Sequence, residues 1–145
     1  MKGKNITRTI DRRVEGYIPL VSAYQLGQDI QISDKAIETV NVGISGIEAI
    51  LDREDTRKII IAGPCSIHDP EAAVEYAILL KELSDKVSDH FLVVMRTYFE
   101  KPRTGLGWEG LIIDPNLNGS NDVNKGYHLS RKILFLVVLF AWGHA

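Results

Sequence analysis

Two short β-branched or apolar runs, Lys58-Ile59-Ile60-Ile61-Ala62 and Phe91-Leu92-Val93-Val94-Met95, flank a segment with the signature of one amphipathic helix. This strand, helix, strand order is the strongest constraint on what the chain can fold into. The first run is bounded by Gly63-Pro64 and reads as a buried strand, and the second reads as a further apolar strand. Between them, Asp69 is placed to cap a helix whose first residue is Pro70, where a missing N–H does no harm, and Glu71 complements the helix dipole. The expected apolar stripe is Ala73, Tyr76, Ala77, Leu80, Leu83 and Val87. Residues 58 to 96 therefore predict a βαβ unit with parallel strands and a right-handed crossover, that is, α/β architecture.

Upstream, residues 1 to 32 are polar and irregular and read as an arm, with extended candidates near Tyr17 to Val21 and Ile30 to Ile32. From Ser33, a suitable N-cap, apolar residues fall at Ile37, Val40, Ile44, Ile47 and Leu51, steps of three and four that put them on one helical face. Gly43 and Gly46 each weaken that helix by roughly 1 kcal/mol relative to alanine, so it is expected to depend on a partner surface in this chain or another. Downstream of Met95, about 25 residues rich in Gly, Pro, Asn and Asp precede a helix expected near Asn121 to Asn124, a loop long enough to suggest function.

Composition excludes several classes. With 45% apolar and 25% charged residues the chain is of average globular make-up, and a net charge of −2 gives no general attraction to nucleic acid or anionic membrane. One cysteine allows no internal disulfide. The N-terminus lacks the apolar core of a signal peptide, which makes the cytoplasm the default expectation. The longest apolar run, Ile133 to Trp142, is too short to span a bilayer as a helix, which takes roughly 20 residues.

The residues able to do chemistry lie just past the two strands. Cys65 follows the first in a tight Gly-Pro-Cys-Ser turn; a lone cysteine is more often a small buried hydrophobe, although a strand-end thiolate is also available to a divalent metal. No C-x-x-C or H-x-x-x-H spacing accompanies it, and His68 reads as a turn or helix-start residue rather than a second ligand. Arg96 ends the second strand, where a charged side chain needs an anionic partner. Lys101, Arg103 and Thr104 follow it, with Trp108 in the same loop. Guanidinium groups match carboxylate and phosphate bidentately, and lysine adds a mobile point charge.

From about Ile47 to Lys132, the stretches DREDTRKIIIAGPCSIHDPEAAVEYA, VVMRTYFEKPRTGLGWEGLIIDP and NGSNDVNKGYHLSRK resemble the type I 3-deoxy-D-arabino-heptulosonate 7-phosphate (DAHP) synthases. The resemblance implies a TIM (β/α)8 barrel and the condensation of phosphoenolpyruvate with erythrose 4-phosphate and water to give DAHP and phosphate, the first step of the shikimate pathway. It implies a divalent metal ion with Cys65 as one ligand. It further implies that Arg96 and Lys101 contact phosphoenolpyruvate and act in catalysis, and that Arg103 and Thr104 hold the phosphate of erythrose 4-phosphate. Departures are Gly105, where the family usually has a second threonine after KPRT, and Glu109, where it usually has lysine.

After Phe135 the match stops and the chain reads LVVLFAWGHA, resembling a frameshift or a misread terminus. Since a barrel takes roughly 250 residues, the expectation is a truncated member: an arm and helix over 1–52, which in the family serves oligomer contacts and regulation; the start of the barrel over 53–135; and an aberrant apolar tail over 136–145. Such a fragment is expected to self-associate and to be inactive alone. The alternatives are a non-catalytic module docking on a full-length paralogue and a decayed gene product.

Overall fold

The computed structural model describes residues 16–101 and 107–139. Its elements in order are α1 (Ala23–Asp29), α2 (Asp34–Leu51), β1 (Lys58–Ala62), α3 (Pro70–Lys86), β2 (Phe91–Met95) and α4 (Val123–Val137). β1 and β2 pair in parallel with Lys58 opposite Phe91 and Ala62 opposite Met95, so the βαβ unit forms at the residues expected. Its helix starts as the local chemistry dictates. The Asp69 carboxylate accepts from the backbone N–H groups of Glu71 and Ala72, at 2.8 and 3.2 Å, with Pro70 in the first turn.

The core lies between α3, α4 and the loop after β2. Ile67, Ala73, Ala77, Phe99, Leu111, Ile133 and Val137 form one buried cluster, with Met95, Trp108, Ile112 and Leu129 packed against it. Leu111 and Ile133 are its largest fully buried side chains, each worth about 1.5–3 kcal/mol of transfer free energy. Two of these residues, Phe99 and Leu111, belong to the long loop. That loop is pinned by a short antiparallel bridge: Leu111 N donates to Phe99 O at 2.7 Å and Lys101 N to Glu109 O at 2.8 Å. Gly110, at the bridge, has φ of 118°, a conformation that disfavours any residue with a Cβ.

Several expectations change. β1 is not buried on both sides: Ile60 and Ile61 are exposed, Ile61 to 69%, because β2 is the strand's single neighbour among the described residues. Of the α3 stripe, Ala73, Ala77 and Leu80 are buried, whereas Tyr76 and Leu83 face solvent. Helix α2 forms with Ser33 accepting from Ala36 N, but Ile37, Val40, Ile44 and Leu51 on its expected face remain exposed. The contact that α2 makes with β2 runs instead through Gly46, which faces Leu92. The arm, read from sequence as irregular, contains a short helix, α1, capped by Ser22, between the two stretches expected to be extended.

Nor does α4 stop at Phe135. It runs through Val137, and Ile133 and Val137 belong to the core, so the apolar run there is in part structural rather than a loose tail. Residues 140–145 lie outside the described range. At the far end of β1, Asp55 pairs with Arg57 at 2.7 Å, and hydrogen bonds from the guanidinium and backbone of Arg57 hold the Asp55 carboxyl below its ordinary range. Among the described residues, no helix is long and apolar enough to cross a membrane.

Candidate active site

Parallel pairing places the two strands' C-terminal ends side by side, so the segments that follow them meet. Arg96 N donates to Ala62 O at 2.7 Å, extending the ladder one residue past the strand pair. Its side chain then folds back over the Gly-Pro-Cys-Ser turn: Nη1 donates to the carbonyl oxygens of Pro64 at 2.7 Å and Cys65 at 3.0 Å. The guanidinium also lies 4.7 Å from the centre of the Tyr98 ring. Arg96 was expected to need an anion for satisfaction. Two carbonyls and an aromatic face meet part of that need, and because a guanidinium carries five N–H donors, capacity remains for an anionic oxygen.

The turn and the Arg96 backbone cross closely at Gly63. A Cβ there would overlap the Arg96 carbonyl oxygen and lie 2.9 Å from its Cβ. Ile67 N donates to Tyr98 O at 2.7 Å, a second tie between the two strand-end segments. Cys65 is exposed, which removes the reading of it as a buried hydrophobe and leaves its thiol accessible. His68 sits one residue before the helix cap, edge-on to Trp108 with ring centres 6.4 Å apart. Lys101 is half-buried at the bridge. Arg103 and Thr104 lie outside the described residues, so among the expected site residues the structure brings together Cys65 and Arg96, with Tyr98 beside them, while the bond given for Lys101 is the one to Glu109 O.

Sequence reasoning missed two contributors, Tyr98 and Asp114, the second of which is tied to Trp108, a residue already noted in the loop. Tyr98 supports the guanidinium. Trp108 donates its indole N–H to Asp114 O at 2.8 Å, and the buried Asp114 carboxylate accepts from Asn118 N at 3.3 Å and Gly119 N at 2.9 Å. The signal for Asp114 was present, since an aspartate followed within five residues by Asn and Gly is turn chemistry. For a metal, Cys65 offers one soft donor, but among the described residues no group of three or more His, Cys, Asp or Glu side chains is placed to hold an ion. The described residues do not make a complete metal site.

The architecture and this site together define an α/β protein whose parallel strand ends carry an arginine folded over a Gly-Pro-Cys-Ser turn, at the carboxyl edge of the sheet where α/β enzymes build their active sites. The profile of the DAHP synthetase I family matches residues 27–135, and the chain belongs to that family. It is 48% identical over 123 residues to a tyrosine-inhibited phospho-2-dehydro-3-deoxyheptonate aldolase of Schizosaccharomyces pombe, covering 85% of this chain and 33% of that protein. A phospho-2-dehydro-3-deoxyheptonate aldolase of Amycolatopsis methanolica is 48% identical over 124 residues, covering 86% of this chain and 61% of the relative. The solved structure of the corresponding Francisella tularensis aldolase superposes with a TM-score of 0.81 at 42% identity, over 87% of this chain and 37% of that one. The chain thus spans between a third and three fifths of the length of these relatives.

Proposed function

We propose that this chain is the opening portion of a DAHP synthase: the first two strands of an eightfold barrel, the helices following them, and one side of the active site. In this reading Arg96 and Lys101 bind phosphoenolpyruvate, which carries both a carboxylate and a phosphate, and Arg103 with Thr104 binds the phosphate of erythrose 4-phosphate. Cys65 would offer one thiolate to a divalent cation, whose further ligands are not among the described residues. The residues present bind and orient anions. A guanidinium already fixed by two carbonyls and an aromatic ring loses little freedom on meeting a carboxylate or phosphate, which favours binding through pre-organisation.

The observation that carries the reading is the convergence of Cys65 and Arg96 on one turn at the strand ends. The reading is tested with phosphoenolpyruvate, erythrose 4-phosphate and manganese. The isolated chain is expected to form no DAHP, because it spans only a third to three fifths of its relatives' length, yet to show chemical-shift changes at Arg96 and Tyr98 on adding phosphoenolpyruvate. Product formation by the chain alone overturns the incompleteness. Shift changes unaltered by Arg96→Ala overturn the binding role.

A second reading, an interaction module that docks on a full-length homologue, is favoured by one observation. Tyr17, Ile18, Leu20, Ile37, Val40 and Ile44 present exposed apolar surface from the arm and α2 among the described residues.

A further inference from the structure

The arm segment 16–32 reaches α4 through polar contacts. Val21 N donates to Asn124 Oδ1 at 2.8 Å, and Asn124 Nδ2 donates back to Pro19 O at 3.1 Å. Arg131 Nε donates to Ile30 O at 2.9 Å, and His128 Nε2 lies 2.9 Å from Asp29 Oδ2. Residues 124, 128 and 131 are spaced to share one face of the helix. Against this row, α1 buries none of its own residues, so no large apolar term fixes the arm in place. Modest polar interactions therefore decide whether it stays.

The imidazole is the informative member of the row. Its Nδ1 lies 2.9 Å from the carbonyl oxygen of Asn124, and a carbonyl only accepts, so Nδ1 must carry a hydrogen. Nε2 faces a carboxylate oxygen, also an acceptor. A neutral imidazole has one N–H and would set a lone pair against one of these oxygens. Only the doubly protonated ring donates to both. We propose that residues 16–32 form a releasable strap, latched to α4 by the Asn124, His128 and Arg131 row, and that loss of the His128 proton opens the latch.

The groups around the ring agree with that geometry. Asp29 is the charged group facing it from α1, its other oxygen held by Gln25 Nε2 at 2.6 Å. On α4, Arg131 is engaged with Ile30 O, and Lys125 with Asn116 in the preceding loop. α3 sets Glu71 and Glu75 beside Leu129, Lys132 and Ile133, a different side of α4. The hydrogen bond to Asn124 O, then that to Asp29, holds His128 above the ordinary imidazole range. The bonds from His128 and then Gln25 hold Asp29 below the ordinary carboxylate range.

The sign follows from both shifts. Docking is strongest between the lowered Asp29 value and the raised His128 value. It weakens as pH rises through the latter, and again as pH falls through the former. Both side chains are more than a third exposed, so solvent and salt weaken the pair, but the strap has little else holding it. Release would also move Tyr17, Ile18, Leu20 and Tyr24, whose side chains are exposed on the strap. The latch thereby governs where that apolar surface is presented.

Amide hydrogen exchange on the full chain tests this, with rates corrected for intrinsic pH dependence. The Leu26 and Ile30 amides, bonded to Ser22 O and Leu26 O, report α1, and the amides of α3 serve as an internal reference. Protection of α1 relative to α3 should fall roughly threefold or more between about pH 6 and pH 8.5, where imidazole loses its charge. His128→Gln should abolish that pH dependence, and Asn124→Ala should lower α1 protection at both pH values. The proposal is overturned if the ratio is the same at both pH values in the parent, if His128→Gln keeps the full dependence, or if α3 loses protection together with α1.

Discussion

Replacing Gly63 by alanine probes the crossing on which the candidate site rests. The added Cβ would overlap the Arg96 carbonyl oxygen and stand 2.9 Å from Arg96 Cβ and 3.0 Å from its carbonyl carbon. Carbon atoms in contact sit about 3.5–4.0 Å apart, so the Arg96 backbone must recede by roughly 0.5–1 Å. Overpacking of this kind costs about 1–3 kcal/mol. The displacement also stretches the 2.7 Å bond from Arg96 N to Ala62 O, whose loss adds about 0.5–1.5 kcal/mol. Stiffening of the unfolded chain by alanine returns about 0.4–1 kcal/mol. The net expectation is a loss of about 0.5–4 kcal/mol, against a typical domain stability of about 5–15 kcal/mol.

Urea unfolding followed by far-ultraviolet circular dichroism measures the loss, with Gly43→Ala as the matched control. Gly43 lies within α2 and has nothing within 4 Å of the added methyl, so its substitution should stabilise by roughly 0.8–1 kcal/mol through helix propensity. The two glycine substitutions should therefore move the midpoint in opposite directions. A Gly63→Ala protein as stable as the parent, or stabilised like Gly43→Ala, would refute the close crossing and the placement of Arg96 that depends on it.

Asp114→Ala should cost about 1–3 kcal/mol by leaving the Asn118 and Gly119 amides without their acceptor, and Asp114→Asn, which keeps one oxygen, should cost less. Equal urea midpoints for both variants and the parent would dismiss that anchoring role. Because β1 is paired on one edge alone among the described residues and Ile61 is 69% exposed, the chain should self-associate in sedimentation velocity runs, and Ile61→Lys should reduce it. Sedimentation independent of concentration in the parent would count against this.

How much was legible depended on how local the cause was. Asp69, Pro70 and Glu71 specify a helix start with atoms a few residues apart, and that helix begins where they say. The two strands announced themselves as short apolar runs and paired in the expected direction. Helix α1 did not, because AYQLGQD carries a glycine and no apolar stripe, and what holds it are side chains about a hundred residues away on α4. Burial was the least legible property. A run of three isoleucines reads as interior, but burial belongs to the neighbours, and β1 has a strand on one side alone among the described residues. In the candidate site, sequence placed Cys65 and Arg96 on adjoining strand ends, while the turning of the guanidinium back onto Pro64 and Cys65 carbonyls depends on the turn's fold.

The register of the strand pair also bears on the order in which the molecule assembles. Lys58 pairs with Phe91, so closing the sheet joins positions only 33 residues apart, and 17 of the intervening residues form one helix. A helix of that length is about 25 Å long, and each five-residue strand about 17 Å, so the crossover is a stiff rod rather than a slack loop. Little chain entropy is spent in closing it. On a ribosome releasing the chain from its N-terminus, this unit has all its own sequence available before α4 emerges. It is the natural nucleus onto which α4 and the loop bearing Phe99 and Leu111 then condense, and mutations within it should slow folding, whereas those in α4 should chiefly hasten unfolding.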